Sequence, residues 1–129
     1  MRALLFLILI PFLSLAQKEK LSIKIEGLER IEGKIMLRVK NTQGEIILKY
    51  SQKVDEIPEL IQLELAPGTY AIACFHDANN NDEIDRNFAG LPTEIYAFSN
   101  NVRGTFGPPD LADQLFELKT AKTISLRLK

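Results

Sequence analysis

Apolar residues return at every second position through most of this chain, and that period decides what it can fold into. Leu21, Ile23 and Ile25 alternate with Ser22, Lys24 and Glu26. Ile35, Leu37 and Val39 alternate with Lys34, Met36, Arg38 and Lys40. The same pattern runs through Ile46, Leu48 and Tyr50, through Ile61, Leu63 and Leu65, and through Phe116 and Leu118. It ends with Ile124, Leu126 and Leu128. Side chains on a strand point to opposite faces in turn, so this pattern gives strands with one buried face. Beyond residue 16 no segment sustains the helical period of 3.6, so a helical bundle is excluded.

The stretch Thr69–His76 breaks the rule in an informative way. Tyr70, Ile72 and Cys74 are apolar on one face, and Ala71, Ala73 and Phe75 on the other. A strand apolar on both faces is central, or runs beneath a loop. Turn residues punctuate the runs. Asn41-Thr42-Gln43-Gly44 suits a hairpin, with Gly44 free to take positive φ. Pro67-Gly68 suits a turn in which Gly68 takes positive φ. Val54 to Glu59, containing Pro58, is a connection. The expected core is Ile23, Ile25, Ile35, Leu37, Val39, Leu63, Leu65, Phe116, Ile124 and Leu126. About seven short strands joined by such turns make an antiparallel β-sandwich.

The first residues read differently. Arg2 precedes an apolar run from Ala3 to Leu13, and Ser14-Leu15-Ala16 fits a small-x-small cleavage site. Residues 1–16 are therefore expected to be a signal peptide, and 17–129 a single exported domain, periplasmic or secreted. The apolar run is too short for a membrane span, and no cysteine follows it to carry a lipid. The chain has 16 basic and 17 acidic residues, a balance that gives no argument for nucleic acid. Cys74 is the only cysteine, so no internal disulfide forms; in an apolar strand it reads as a small buried hydrophobe.

One interval, 77–113, lacks the alternation. Loops of such length in a small domain are functional or disordered. Phe88, Leu91, Ile95, Tyr96, Phe98 and Phe106 give this one enough apolar area to pack down. Its seven acidic residues against two basic ones give it a net charge of −5. At its start, Asp77-x-Asn79-x-Asn81 sets three side-chain oxygens at alternate positions, Glu83 can add its carbonyl, and Asp85 stands ninth. That is the oxygen-donor spacing of a Ca²⁺ loop, with Glu94 the candidate distant ligand. Asp82 occupies the sixth position, where the pattern has Gly, and Phe88 the twelfth, where it has Glu. The same residues also build Asx-turns without any metal. His76 is the only histidine, so zinc and copper lack ligands. A second reading makes His76, Asp77 and Glu94 the machinery of a small hydrolase, with Ser99 and Thr93 as nucleophiles on composition alone. Tyr70, Tyr96, Phe98 and Phe106 offer a sugar- or peptide-stacking surface, or simple loop packing.

Pro67-Gly68-Thr69-Tyr70, His76-Asp77-x-Asn79-x-Asn81, Asp85-x-Asn87, Gly90-Leu91-Pro92-x-Glu94, Phe98-Ser99-Asn100-Asn101 and Phe106-Gly107-Pro108-Pro109 together resemble the exported bacterial proteins grouped as domain of unknown function 2141. The resemblance implies export and a small β domain, with no established activity. The Pro67-Gly68-x-Tyr70 strand entrance is also similar to prealbumin-like sandwiches such as carboxypeptidase regulatory-like domains. The expectation is thus an all-β, prealbumin-like or immunoglobulin-like sandwich with one long ordered loop, acting outside the cytoplasm as a binding or structural module. Its partner would be a protein or carbohydrate, with no nucleic acid and no membrane span. The alternatives are the hydrolase and a metal-free scaffold.

Export predicts Gln17 as the mature N-terminus. The intact mass of the exported protein checks this, and a mature species retaining residues 1–16 overturns it.

Overall fold

The alternating segments form eight strands in two sheets. The computed structural model describes residues 17–129, so the expected signal peptide lies outside the described residues. The strands are β1 (Glu19–Glu26), β2 (Lys34–Lys40), β3 (Ile46–Lys53), β4 (Glu59–Leu65), β5 (Gly68–Asp77), β6 (Tyr96–Phe98), β7 (Phe116–Leu118) and β8 (Lys122–Arg127). A three-stranded sheet runs β4-β1-β8, and a five-stranded sheet runs β3-β2-β5-β6, with β7 also pairing β5. Their facing sides share one apolar cluster, which includes Leu21, Ile23, Ile61 and Leu126 from the first sheet and Ile35, Leu37, Ile72 and Leu118 from the second. The expected core residues are all in this cluster except Ile124, which is partly buried and packs against it.

The seven-strand antiparallel expectation is corrected twice. The extra strand is β6, inside the interval read as a single long loop. That interval also contains a 3₁₀ turn (Ser99–Asn101) and a short helix α1 (Leu111–Gln114). The three residues of β6, Tyr96, Ala97 and Phe98, are all apolar, so no alternation marks it. Moreover β1 pairs β8 in parallel, with Ile23 beside Ile124. Strands from opposite ends of the chain meet there, and no hairpin dictates their sense.

Strand β5 is central, as its two apolar faces suggested. One edge pairs with β2 over Ala71–Asp77. The other edge is completed in pieces: β7 pairs Gly68–Tyr70, β6 pairs Ala73–Phe75, and the His76 amide donates to the Ile95 carbonyl at 3.0 Å. Between the first two pieces the Ile72 amide donates to Ser99 Oγ at 2.9 Å, and that hydroxyl donates to the Gln114 carbonyl. A buried amide needs such a partner.

The neighbouring asparagines tie the same corner down. Asn100 Nδ2 donates to the carbonyls of Asp113 and Leu115. Asn101 Nδ2 donates to the Ser125 carbonyl, and its Oδ1 accepts the Arg127 amide at 2.8 Å. Both asparagines have positive φ, 62° and 53°, a conformation Asn tolerates better than most residues. One side of the sandwich is sealed by backbone, because Tyr96 and Lys129 exchange amide–carbonyl bonds of 3.4 and 3.2 Å. On the other side Gln52 of β3 donates to the Glu59 carboxylate and to the Leu60 carbonyl of β4.

The Asn41 hairpin forms as expected. The Asn41 side chain accepts the amides of Gln43 and Glu45 at 3.0 Å each, and Gly44 has φ of 80°. The turn at Pro67 does not: Gly68 is not among the residues with positive φ. A side chain makes that corner instead, as the buried Tyr70 hydroxyl donates back to the Ala66 carbonyl. It holds the chain where it crosses from one sheet to the other, the role of a tyrosine corner in Greek-key sandwiches.

Leu37→Ala is expected to lower the unfolding free energy by about 2–5 kcal/mol, and Tyr70→Phe by about 0.5–1.5 kcal/mol. Denaturant unfolding measures both; a Leu37→Ala loss below about 0.5 kcal/mol would place Leu37 outside the core.

Candidate functional site

Strand β5 ends at Asp77, and its side chain starts the acidic loop. Asp77 is fully buried, at 0% exposure. Its Oδ1 accepts the Asn81 amide at 3.2 Å and its Oδ2 the Asp82 amide at 2.9 Å. Lys34 Nζ lies 4.0 Å from Asp77 Oδ2 and pairs more closely with Asp82. That contact with Asp82 holds the Lys34 ammonium above its ordinary pKa. Beneath this turn, Gly33 sits at φ of 62°, and a Cβ there would lie 2.2 Å from the Asp77 carbonyl oxygen. Only glycine lets the β1–β2 connection pass so close to the loop's base.

The loop closes on itself by side-chain bonds. Asn79 Nδ2 donates to Asp85 Oδ2 at 2.6 Å, and Asn81 Nδ2 to Asp85 Oδ1 at 2.7 Å. Asn79 Oδ1 accepts the Asn81 amide, and Asn81 Oδ1 the Glu83 amide. Glu94 reaches in from the returning segment, its Oε2 accepting the Ala78 amide and its Oε1 the Asp85 amide, both at 2.9 Å. The sixth residue of the pattern, Asp82, takes φ of 65°, the left-handed conformation that position requires. The structure thus brings together Asp77, Asn79, Asn81, Asp85 and Glu94, while Glu83 takes part through its amide. Each side-chain oxygen just named accepts an N–H. Among the described residues no group of three His, Cys, Asp or Glu side chains is placed to hold a metal ion.

His76, Asp77 and Glu94 do not line one cavity. His76 and Asp77 are neighbours on a strand and leave it on opposite faces. The buried His76 ring donates from Nε2 to the Glu32 carbonyl at 2.6 Å, which fixes its tautomer. His76 and Glu94 border a hollow of about 120 Å³ that Asp77 does not reach. Ser99 is buried and holds β5 together, and Thr93 borders the His76 hollow. Burial pushes the Cys74 thiol up to about 12, so it stays protonated and unreactive.

A larger hollow lies elsewhere, on the outer face of the five-stranded sheet. It is a cleft of about 640 Å³. Met36 and Arg38 of β2, Phe75 of β5, and Tyr96 and Phe98 of β6 give it a floor; Asp82, Glu83, Ile84, Arg86 and Pro92 wall one side, and Gly107 and Pro108 the other. The wall is ordered. Arg86 and Pro92 form an isolated antiparallel bridge, and Asn87 Oδ1 accepts the amides of Ala89 and Leu91. Phe88 at its tip is fully exposed, as is Phe106 on the opposite side, and Leu91 is 60% exposed. These three do not pack the loop down, contrary to expectation; Ile95, Tyr96 and Phe98 do that work nearer the sheet. Tyr70 belongs to the core, so of the two readings of Tyr70, Tyr96, Phe98 and Phe106 the shared stacking surface does not form. Sequence reasoning missed this cleft because it assigned the non-core positions of β2 to solvent. The signals were present in Met36, an apolar residue among lysines and arginines, and in the second apolar face of β5.

The family model described as "Uncharacterized protein conserved in bacteria (DUF2141)" matches residues 23–125. The chain belongs to this family. The match runs from within β1 to within β8 and includes the acidic loop, the Ser99–Asn101 clasp and every wall of the cleft. No curated protein matches the chain. Among the described residues no helix is long and apolar enough to cross a membrane.

Proposed function

We propose that this family member is an exported, non-enzymatic binding module of prealbumin-like or immunoglobulin-like architecture, and that its ligand sits in the cleft on the outer face of the five-stranded sheet. The cleft carries this reading. Its size is that of small-molecule sites, about 300–1,000 Å³, and Met36, Phe75, Tyr96 and Phe98 make much of its floor apolar where an ordinary sheet face would be polar. The exposed Phe88 and Phe106 stand on the loops that wall it. Large apolar side chains held in water by an ordered turn favour contact with a partner, a protein or a carbohydrate face. The hydrolase reading has less support, because Glu94 and His76 are both engaged by backbone groups and Asp77 lies apart from them.

The acidic loop supports the cleft wall, and we propose that it takes Ca²⁺ through Asp77, Asn79, Asn81 and Asp85, with the Glu83 carbonyl and Glu94. Carboxylate, carboxamide and carbonyl oxygens are the hard donors this ion prefers. Its binding has to displace N–H donors from those oxygens, which keeps it weak, with Kd on the order of 10⁻⁴–10⁻³ M. Without the ion the same residues form a hydrogen-bonded turn array.

A fragment screen read by amide chemical shifts should concentrate its hits at Met36, Phe75, Tyr96 and Phe98. Hits centred on His76 and Glu94 instead would favour the hydrolase. At about ten times Kd, calcium should stabilise the fold by roughly 1.4 kcal/mol over chelator, and Asp77→Ala should erase the difference. Equal melting with calcium and with chelator, and no heat on titration, would leave the loop a metal-free turn array.

A further inference from the structure

The strand registers lay the outer face of the five-stranded sheet out as rows. Across one row run Ser51, Met36, Phe75 and Tyr96. Across the next run Lys49, Arg38, Ala73 and Phe98. The first row is apolar beyond its serine. The second is cationic on β3 and β2 and apolar on β5 and β6. The cleft floor therefore has polarity along it, with charge at one end and aromatic rings at the other.

The cationic end is unneutralised. Arg38 and Lys49 stand directly opposite each other in the β2–β3 register, where like charges repel. Among the described residues neither they nor Lys40 and Arg86, which also line the cleft, have a carboxylate within ion-pair distance. Of the two acidic residues lining it, Asp82 is paired to Lys34, and Glu83 lies exposed on the wall. A smaller hollow of about 230 Å³ shares Met36, Arg38 and Asp82 with the cleft and extends it to Lys49. The aromatic end is held in place. The Arg103 guanidinium stacks 4.0 Å from the Tyr96 ring centroid and donates to the Tyr96 carbonyl. The Tyr96 and Phe98 rings meet edge to face at 5.8 Å. Between the two ends Ala73, the smallest side chain of its row, leaves the floor open.

We propose that the cleft binds a small anionic amphiphile. Its apolar body lies over Met36, Phe75, Tyr96 and Phe98, and its carboxylate or equivalent head meets Arg38 and Lys49. This rests on the binding-module reading and adds the class of ligand to it. The head relieves the Arg38–Lys49 repulsion, and the body covers the apolar floor. A cationic amphiphile satisfies only the second condition.

The test compares three probes with the same tail, titrated into the purified chain: octanoate, octyltrimethylammonium and octyl glucoside. Octanoate should bind at least roughly tenfold tighter than the other two, the scale of one charge-assisted hydrogen bond. Arg38→Gln, at an exposed position, should weaken octanoate by a similar factor and octyl glucoside by far less. Ala73→Phe, with its melting temperature checked, should remove all three. If the three probes bind equally, or Arg38→Gln leaves octanoate unaffected, the anionic class is overturned while the cleft stands as a site. If none binds, or binding survives in a folded Ala73→Phe variant, the cleft reading falls with it.

Discussion

Strand β5 cannot leave its amides unpaired, and the path of the chain from residue 95 to residue 118 follows from that requirement. Its β2 edge is satisfied by one continuous ladder. Its other edge is satisfied in succession by Phe116–Leu118, by the Ser99 hydroxyl, by Tyr96–Phe98 and by the Ile95 carbonyl. A hydroxyl within a ladder is unusual, and here it bridges the gap between two strands too short to meet. The buried serine must both accept from Ile72 and donate to Gln114, which an alanine could not do. The two left-handed asparagines after it let the chain turn away at once, and their amides tether it to β8 and to the segment around α1.

The same strand separates the two halves of the functional region. Where β5 ends, alternation sends His76 inward to the Glu32 carbonyl and Asp77 outward to the loop. Farther back, it sends Ile72 and Cys74 into the core and Ala73 and Phe75 onto the cleft floor. The acidic loop and the cleft are therefore parts of one construction. Asp77 nucleates the turn at the loop's base, Asp85 and Glu94 brace it, and the braced segment becomes the wall beside Phe75. Lys34 joins the two, because it reaches from the cleft's own sheet face to Asp82.

Much of this was legible in the sequence. The period of two located six of the eight strands and most of the core, and the two-faced Thr69–His76 segment located a seventh and marked it as the centre of a sheet. The Asp77–Asp85 spacing identified side chains that do converge. What escaped was non-local. The Tyr96-Ala97-Phe98 segment has no polar residue to alternate with, so nothing local marks β6 as a strand. The parallel pairing of β1 with β8 joins residues about a hundred positions apart, with no turn between them to set its sense. Gly68 looked like a turn glycine because local chemistry cannot reveal that Tyr70 will reach back to Ala66. The cleft was hidden for a similar reason: Arg38 looks solvated in isolation, and only the register that sets it between Lys49 and Ala73 shows it at the charged end of an apolar floor.

The two seams of the sandwich are closed by different means, and this makes the molecule mechanically lopsided. On the β6–β8 side the sheets are joined through main chain, with Tyr96 and Lys129 bonded in both directions and Asn101 bonded to Arg127 beside them. On the β3–β4 side, beyond the connection 54–58 whose Asp55 and Glu56 amides donate to the Glu59 carboxylate, the gap is spanned by the Gln52 side chain. Side-chain bridges open by rotamer changes, whereas a main-chain pair opens only when its strands move apart. The domain should therefore behave like a book bound along β6 and β8, its pages parting first along β3 and β4 at the ends remote from residues 54–58, with amides there exchanging with solvent well before those of β5. Strand β3 carries Lys49, so the charged end of the cleft lies on the moving page and the aromatic end on the spine.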